Sequence, residues 1–231
     1  MARTVDEQAH TLRRDEFLDV AQHLLRTKGY ERMSVQDVLA ETGASKGAFY
    51  HYFGSKQALL EAVVDRLADA VAESLAPVIH AETRAIDKLN GFFAAVATWK
   101  VQRRDLMVAL LRVWQSDDNA VLRQKLRPGI AERVAPLVAD IVDQGVGEGV
   151  FTVRDADQSA RVVVSLVQDL NDRLADLFLV MEASQGEWRT VEQAVAAHVE
   201  ALERILGAPG GSVVLVDLAV LKAWFLEGAD T

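Results

Sequence analysis

Lys46, Tyr50 and His51 fall in the stretch SKGAFYHYF at helical spacing. One turn separates Lys46 from Tyr50, and one turn separates Gly47 from His51. A cation, a phenol, an imidazole and a bare patch of backbone therefore share the outer side of one short helix. Lysines and hydroxyls hold phosphate oxygens, and aromatic or imidazole groups reach phosphate or thymine methyls. Glycine lets a sugar-phosphate chain come close. Phe49 and Phe53, four residues apart, take the opposite, core-facing side. A helix with that division suits the major groove of DNA.

The elements that must position these groups lie on either side. Ser34 can cap a first helix, with Asp37 three residues on and Met33 placed to staple onto Val38. Gly43 suits the left-handed position that ends it. Ser45 then caps the second helix, and Gly54 is expected to end it. Before both, Phe17, Val20, Ala21, Leu24 and Leu25 form a helical stripe between Thr11 and Lys28, stopped by Gly29, with Tyr30 folding back. This helix supports the pair by packing on Val38, Phe49 and Phe53. Arg13 and Arg14 at its start either meet phosphate or stay solvated. Residues 1–11 read as a flexible polar arm carrying Arg3.

S-V-x-D-V followed by G-x-S-K-G-x-F-Y-H-Y-F-x-S-K-x-x-L-L resembles the N-terminal helix-turn-helix of the TetR family of bacterial transcriptional regulators. The resemblance covers about sixty residues. Leu39, Thr42 and Ala44 depart from the residues commoner at those packing positions. It implies an all-α fold, with a three-helix helix-turn-helix head (1–56, motif about 34–53). A larger helical domain (57–231) would bind an effector and dimerise. It implies DNA contacts at Ser34, Gln36, Ser45, Lys46, Gly47, Tyr50, His51 and Lys56. It implies a repressor released from a palindromic operator, and a homodimer through the last two long helices.

Other chemistries fit less well. Gly43 to Gly47 matches the G-x-S-x-G elbow of serine hydrolases, but a capped helix stands where that elbow needs a strand. The five histidines are scattered, so neither metal nor cofactor is expected. GVGEGVF, residues 145–151, lacks the strand-to-helix setting of a phosphate loop and reads as a turn. No enzyme is expected. The competing reading is an effector-independent helical protein associated with DNA, such as a nucleoid or division factor.

Composition agrees with an all-α chain: 231 residues, half of them hydrophobic, four prolines and no cysteine. The net charge of −9 divides unevenly, because residues 1–56 carry eight Lys/Arg against eight Asp/Glu and the remainder 17 against 26. An acidic body is repelled by phosphate, so only the head is expected to approach DNA. The first residues hold no apolar signal core, and Val213 to Leu226 is too short to span a bilayer. A cytoplasmic protein without membrane contact is the expectation.

The body reads as successive helices. Ser55 caps a helix bearing Leu59, Leu60, Val63, Leu67, Val71 and Leu75, expected to end at Pro77. Helices follow at 86–101 and after Asp105. Residues 119–144 are expected to break or kink at Pro128-Gly129 and Pro136. Two long helices, 156–183 and 189–206, carry continuous stripes. The first has Ala160, Val163, Val167, Leu170, Leu174, Leu177 and Met181, and the second Val191, Ala194, Val195, His198, Val199, Leu202 and Ile205. Paired with a second copy they would make a four-helix bundle. After the linker 208–211, Val214, Leu218, Leu221 and Phe225 have helical spacing. Trp99, Met107, Leu111, Trp114, Gln115, Gln168, Asn171 and Phe178 mix apolar walls with polar groups, as a pocket for a small-molecule effector does.

Overall fold

The computed structural model describes residues 2–116, 120–182 and 187–226, and among these it holds ten α-helices and no strand. The helices are α1 (Ala2–Thr27), α2 (Val35–Thr42), α3 (Lys46–Tyr52), α4 (Lys56–Ile79) and α5 (Ala85–Val101). They continue as α6 (Arg104–Gln115), α7 (Ala120–Gly147), α8 (Ala156–Glu182), α9 (Trp188–Leu206) and α10 (Leu218–Leu226). Asn119 and Ala183, the expected ends of two of them, lie outside the described residues.

The chain divides into two compact units: Met1–Ala68 with Asp105–Leu126, and Asp69–Arg104 with Arg127–Thr231. The expected division after residue 56 is therefore displaced. Leu59, Leu60 and Val63 of α4 and Leu106 and Val113 of α6 are buried in one core with Phe17, Val38 and Phe49. Fully burying side chains of this size stabilises by about 1.5–3 kcal/mol each, which holds α6 to the first unit.

Four local expectations are corrected. The segment read as a polar arm is helical from Ala2, where α1 starts; the side chain of Arg3 falls outside the described set. Pro77 does not end α4, because His80 N reaches Ala76 O at 3.0 Å and closes a last turn past the missing proline N–H. Helix α7 is not broken at Pro128 or Pro136, the first of the two outcomes expected there. Burial of Ala135, Val138, Ala139, Ile141 and Val142 outweighs the hydrogen bonds the prolines remove. Finally, 145–147 belongs to α7 rather than to a loop. Val150 N and Phe151 N both donate to Gly145 O, at 2.9 and 3.0 Å, and fold the next residues back over the helix end.

The second unit buries Leu75, Ile86, Leu89, Phe92, Phe93, Val163, Leu170, Leu202 and Leu206 in one cluster. Most of the α8 and α9 stripes go into this packing: Ala160, Val163 and Leu170 of α8 and Val195 and Leu202 of α9 are buried in it, and Val167, Leu174, Val199 and Ile205 pack against it. The terminal segment does not follow the helical spacing expected from Val214. Val213 and Leu215 are buried while Val214 is 53% exposed, an extended alternation. Asn90 pins it by donating to Ser212 O and accepting from Val214 N, both at 2.9 Å, and the buried Glu203 carboxylate accepts from Val213 N at 3.1 Å. Helix α10 then docks on its own unit, with Phe225 edge-on to Phe178 at 5.4 Å and to Trp188 at 5.7 Å.

Candidate nucleic-acid interface

The first unit builds its outward face on a triangle of rings. Phe17 of α1 meets Phe49 at 5.8 Å and Phe53 at 6.0 Å, and the latter two lie 5.8 Å apart; all three are buried. Helix α2 is started by a reciprocal cap: Ser34 accepts from Asp37 N, and the Asp37 carboxylate accepts from Ser34 N at 2.9 Å. Lys28 donates to the same carboxylate at 2.6 Å, and with the Ser34 bonds it pulls the Asp37 pKa down to about 2. Gly43 ends the helix at φ 61°, a left-handed conformation that favours glycine. The Thr42 hydroxyl donates to Val38 O at 2.8 Å and accepts from Ala44 N at 3.3 Å. It thereby ties the end of α2 to the turn, a role for threonine that helix periodicity does not show.

Helix α3 is capped by Ser45, which accepts from Ala48 N at 3.1 Å and keeps its O–H proton to donate elsewhere. Phe53 N reaches Phe49 O at 2.9 Å, so the helix closes at Phe53 rather than at Gly54. Ser45, Lys46, Gly47, Tyr50 and His51 are all exposed. The Tyr50 ring stands edge-on to Phe49 at 5.3 Å, with the Lys46 ammonium 5.9 Å from its centroid. A Cβ added at Gly47 would find nothing nearer than Ser45 Oγ at 3.9 Å. No contact within the fold asks for glycine there.

The remaining predicted residues flank this face. Ser34 and Gln36 are exposed at the start of α2. Lys56 is turned partly inward, donating to Tyr30 O at 2.8 Å and Met33 O at 3.0 Å, which leaves one ammonium proton for an outside acceptor. Arg13 pairs with Glu16 and reaches Thr42 O at 3.4 Å, and Arg14 lies over the Phe53 ring. His10, which the sequence reading passed over, sits 5.7 Å from His51 and 4.6 Å from Tyr52. Its signal was obscured by the polar composition of the segment before Thr11.

Two family profiles match this chain. The one described as bacterial regulatory proteins, tetR family, matches residues 17–63, the stretch that carries the ring triangle and both caps. The one described as tetracyclin repressor-like, C-terminal domain, matches residues 111–184. The chain belongs to the TetR family of bacterial transcriptional regulators. Among its relatives is the HTH-type transcriptional repressor KstR2 of Mycolicibacterium smegmatis, 30% identical over 83 residues, 36% of this chain and 40% of that protein. Another is the nucleoid occlusion factor SlmA of Mannheimia succiniciproducens, 30% identical over 87 residues, 37% of this chain and 40% of that one. The matched stretches thus span about two fifths of these relatives. A TetR-family regulator of Pectobacterium atrosepticum shares the fold with a TM-score of 0.61 at 21% identity, covering 87% of this chain and 98% of the other.

In this TetR-family chain the eight residues expected to line an effector pocket are divided, four in each unit. Met107 and Trp114 pack against the core of the first unit. Leu111 and Gln115 of the same helix are half-buried. In the second unit Trp99 is buried, with the Arg103 guanidinium 4.3 Å from its ring. Phe178 is taken up by Trp224 and Phe225 of α10. The polar groups of α8 find partners within the chain: Gln168 donates to Arg127 O at 3.3 Å, Asp172 pairs with Arg127, and Asn171 accepts from Lys100 at 3.0 Å. Burial holds the Lys100 pKa below the ordinary lysine value. A lone lysine in the apolar run FFAAVATWKV was the available signal for it. No helix of the described residues is long and apolar enough to cross a membrane.

Proposed function

We propose that this chain is a cytoplasmic repressor that binds a palindromic operator as a homodimer and is released by a small-molecule effector. The observation that carries the reading is Gly47: an exposed glycine inside a capped helix, with Lys46, Tyr50 and His51 around it and no packing reason of its own. Glycine costs the middle of a helix roughly 0.5–1 kcal/mol against alanine and offers no gain in the first turn, where Gly47 stands, so the position makes sense where another backbone approaches. Ser45, Lys46, Tyr50, His51 and the free proton of Lys56 would hold phosphates and base edges, with Ser34 and Gln36 alongside. The name of the KstR2 relative supports repression.

Two copies of α3 would read two half-sites, spaced by a dimer formed through α8 and α9. Since intrachain packing takes most of both stripes, the bundle would also draw on Val162 and Val180, exposed on α8 outside its stripe. Effector binding in the body would have to favour one spacing of the heads by about 1–3 kcal/mol to act as a switch.

The second reading, a DNA-associated structural factor without an effector, is favoured by the SlmA relative. Selection of bound fragments from genomic DNA, followed by footprinting, separates the two. The repressor reading expects inverted half-sites at fixed spacing upstream of genes, with affinity falling steeply as salt rises. Sites scattered over the chromosome without regard to promoters, unaffected by any metabolite extract, would favour the structural factor.

A further inference from the structure

We propose that the second unit binds an amphipathic carboxylate whose anionic head pairs with the ammonium of Lys100. The inference deepens the effector-release reading and rests on it for its consequence at DNA. Lys100 lies in the last turn of α5 and reaches to α8, where Asn171 Oδ1 is its one hydrogen-bond partner among the described residues. Asn171 is itself oriented by donating from Nδ2 to Val167 O at 2.9 Å, which turns its oxygen to the ammonium. Among the described residues no carboxylate lies within ion-pair reach of Lys100, although its unit holds 21 Asp/Glu against 13 Lys/Arg. Arg127 and Arg133, in the same unit, are paired with Asp172 and Asp69. Desolvation already works against the charge on Lys100, yet the residue keeps accessible surface. A desolvated cation without a counter-ion is costly, and a bound anion removes that cost.

The surroundings define the rest of the ligand. One turn before Lys100 stands Val96, and one turn before Asn171 stands Val167; both are half-buried against the core, and Trp99, which precedes Lys100 in the chain, is buried. Half-buried valines flanking one ammonium suit a ligand with an apolar body and one negative head. Two ammonium protons remain after the bond to Asn171, enough for the two oxygens of a carboxylate. In the same unit Arg104 donates to Trp224 O at 2.9 Å and has no carboxylate partner among the described residues, and its Nε is buried without an acceptor there.

The test is calorimetric titration of the full chain with straight-chain carboxylates of six to fourteen carbons and with the alcohols of the same lengths. At least one acid should bind, and its alcohol should bind about tenfold or more weakly, the scale of a hydrogen bond to a charged group. Lys100→Met should weaken that acid about tenfold and leave the alcohol unchanged, while Lys100→Arg retains most of the affinity. Asn171→Asp supplies an internal counter-ion and should also weaken the acid, which keeps the test decisive if the methionine variant loses helicity. Failure of every acid to bind, equal binding of acid and alcohol, or full acid affinity in both Lys100→Met and Asn171→Asp would overturn the proposal. An acid that binds through Lys100 yet leaves the operator complex intact would overturn effector release and leave the site standing.

Discussion

The Lys56 ammonium lies 4.1 Å from the centroid of the Tyr30 ring while donating to the Tyr30 carbonyl at 2.8 Å. With its second bond to Met33 O, this lysine closes the turn after α1 onto the start of α4. It is a strut as well as a possible phosphate ligand. Lys56→Met should therefore lower stability by about 1–3 kcal/mol, since charge-assisted hydrogen bonds and a cation–π contact go together. Urea midpoints of the variant and the parent check this. An unchanged midpoint would reduce Lys56 to a surface cation.

Lys46 is expected to behave in the opposite way. Its side chain is exposed and, among the described residues, has the Tyr50 ring at 5.9 Å but no ion-pair partner, so Lys46→Ala should leave the urea midpoint within about 0.5 kcal/mol of the parent. Operator affinity should fall, and the slope of log affinity against log salt should shrink by about one, because one phosphate contact is gone. Gel shifts at several salt concentrations measure both. An unaltered slope would move the phosphate contact elsewhere on the head.

Gly145 and Phe151 provide a test of the second unit alone. The Phe151 ring occupies the space a side chain at 145 would need, with Cδ2 2.0 Å from an added Cβ, and the ring is buried. Gly145→Ala must displace that ring or bend the end of α7. It should cost at least the roughly 1–3 kcal/mol typical of overpacking, and thermal unfolding would show it. A neutral outcome would mean that Phe151 can leave its site without loss.

These contacts mark what could be read in advance. The caps at Ser34 and Ser45, the turn at Gly43 and the ring face of α3 were legible because each depends on residues three or four apart. Thr42, Lys56 and Lys100 were harder, since the groups that define their roles come from other elements or from backbone carbonyls. The prolines misled for the same reason. Their local effect is to break a helix, but α4 and α7 continue past them because packing at Leu75 and at 135–142 outweighs the missing bonds. Extended pinning of residues 212–214 by Asn90 and Glu203 likewise overrode an apolar spacing that suited a helix.

Asp37 makes the start of α2 sensitive to acid. Its pKa falls from the ordinary 3.8 to about 2, first through the Lys28 bond and then through those from Ser34. A depressed folded-state pKa adds stability that is fully present above the unfolded value and is lost as pH falls through the folded one. The advantage of the parent over Asp37→Asn should thus hold near neutrality and narrow as pH drops from about 4 toward 2. Thermal midpoints of both proteins across that range test it, and a constant gap would remove Asp37 as the titrating group.

Gly47→Ala separates fold from function most cleanly, because its two effects have opposite signs. The position is exposed, its Cβ space is open, and its backbone is helical, so alanine should be accommodated and should raise stability by roughly 0.5–1 kcal/mol. In the operator complex the same methyl would stand where the sugar-phosphate chain is proposed to come closest. Affinity should drop by at least tenfold, about 1.4 kcal/mol, while the midpoint in urea rises. A higher midpoint with unchanged affinity would show that DNA keeps its distance from Gly47, and would shift the recognition surface toward Tyr50 and His51.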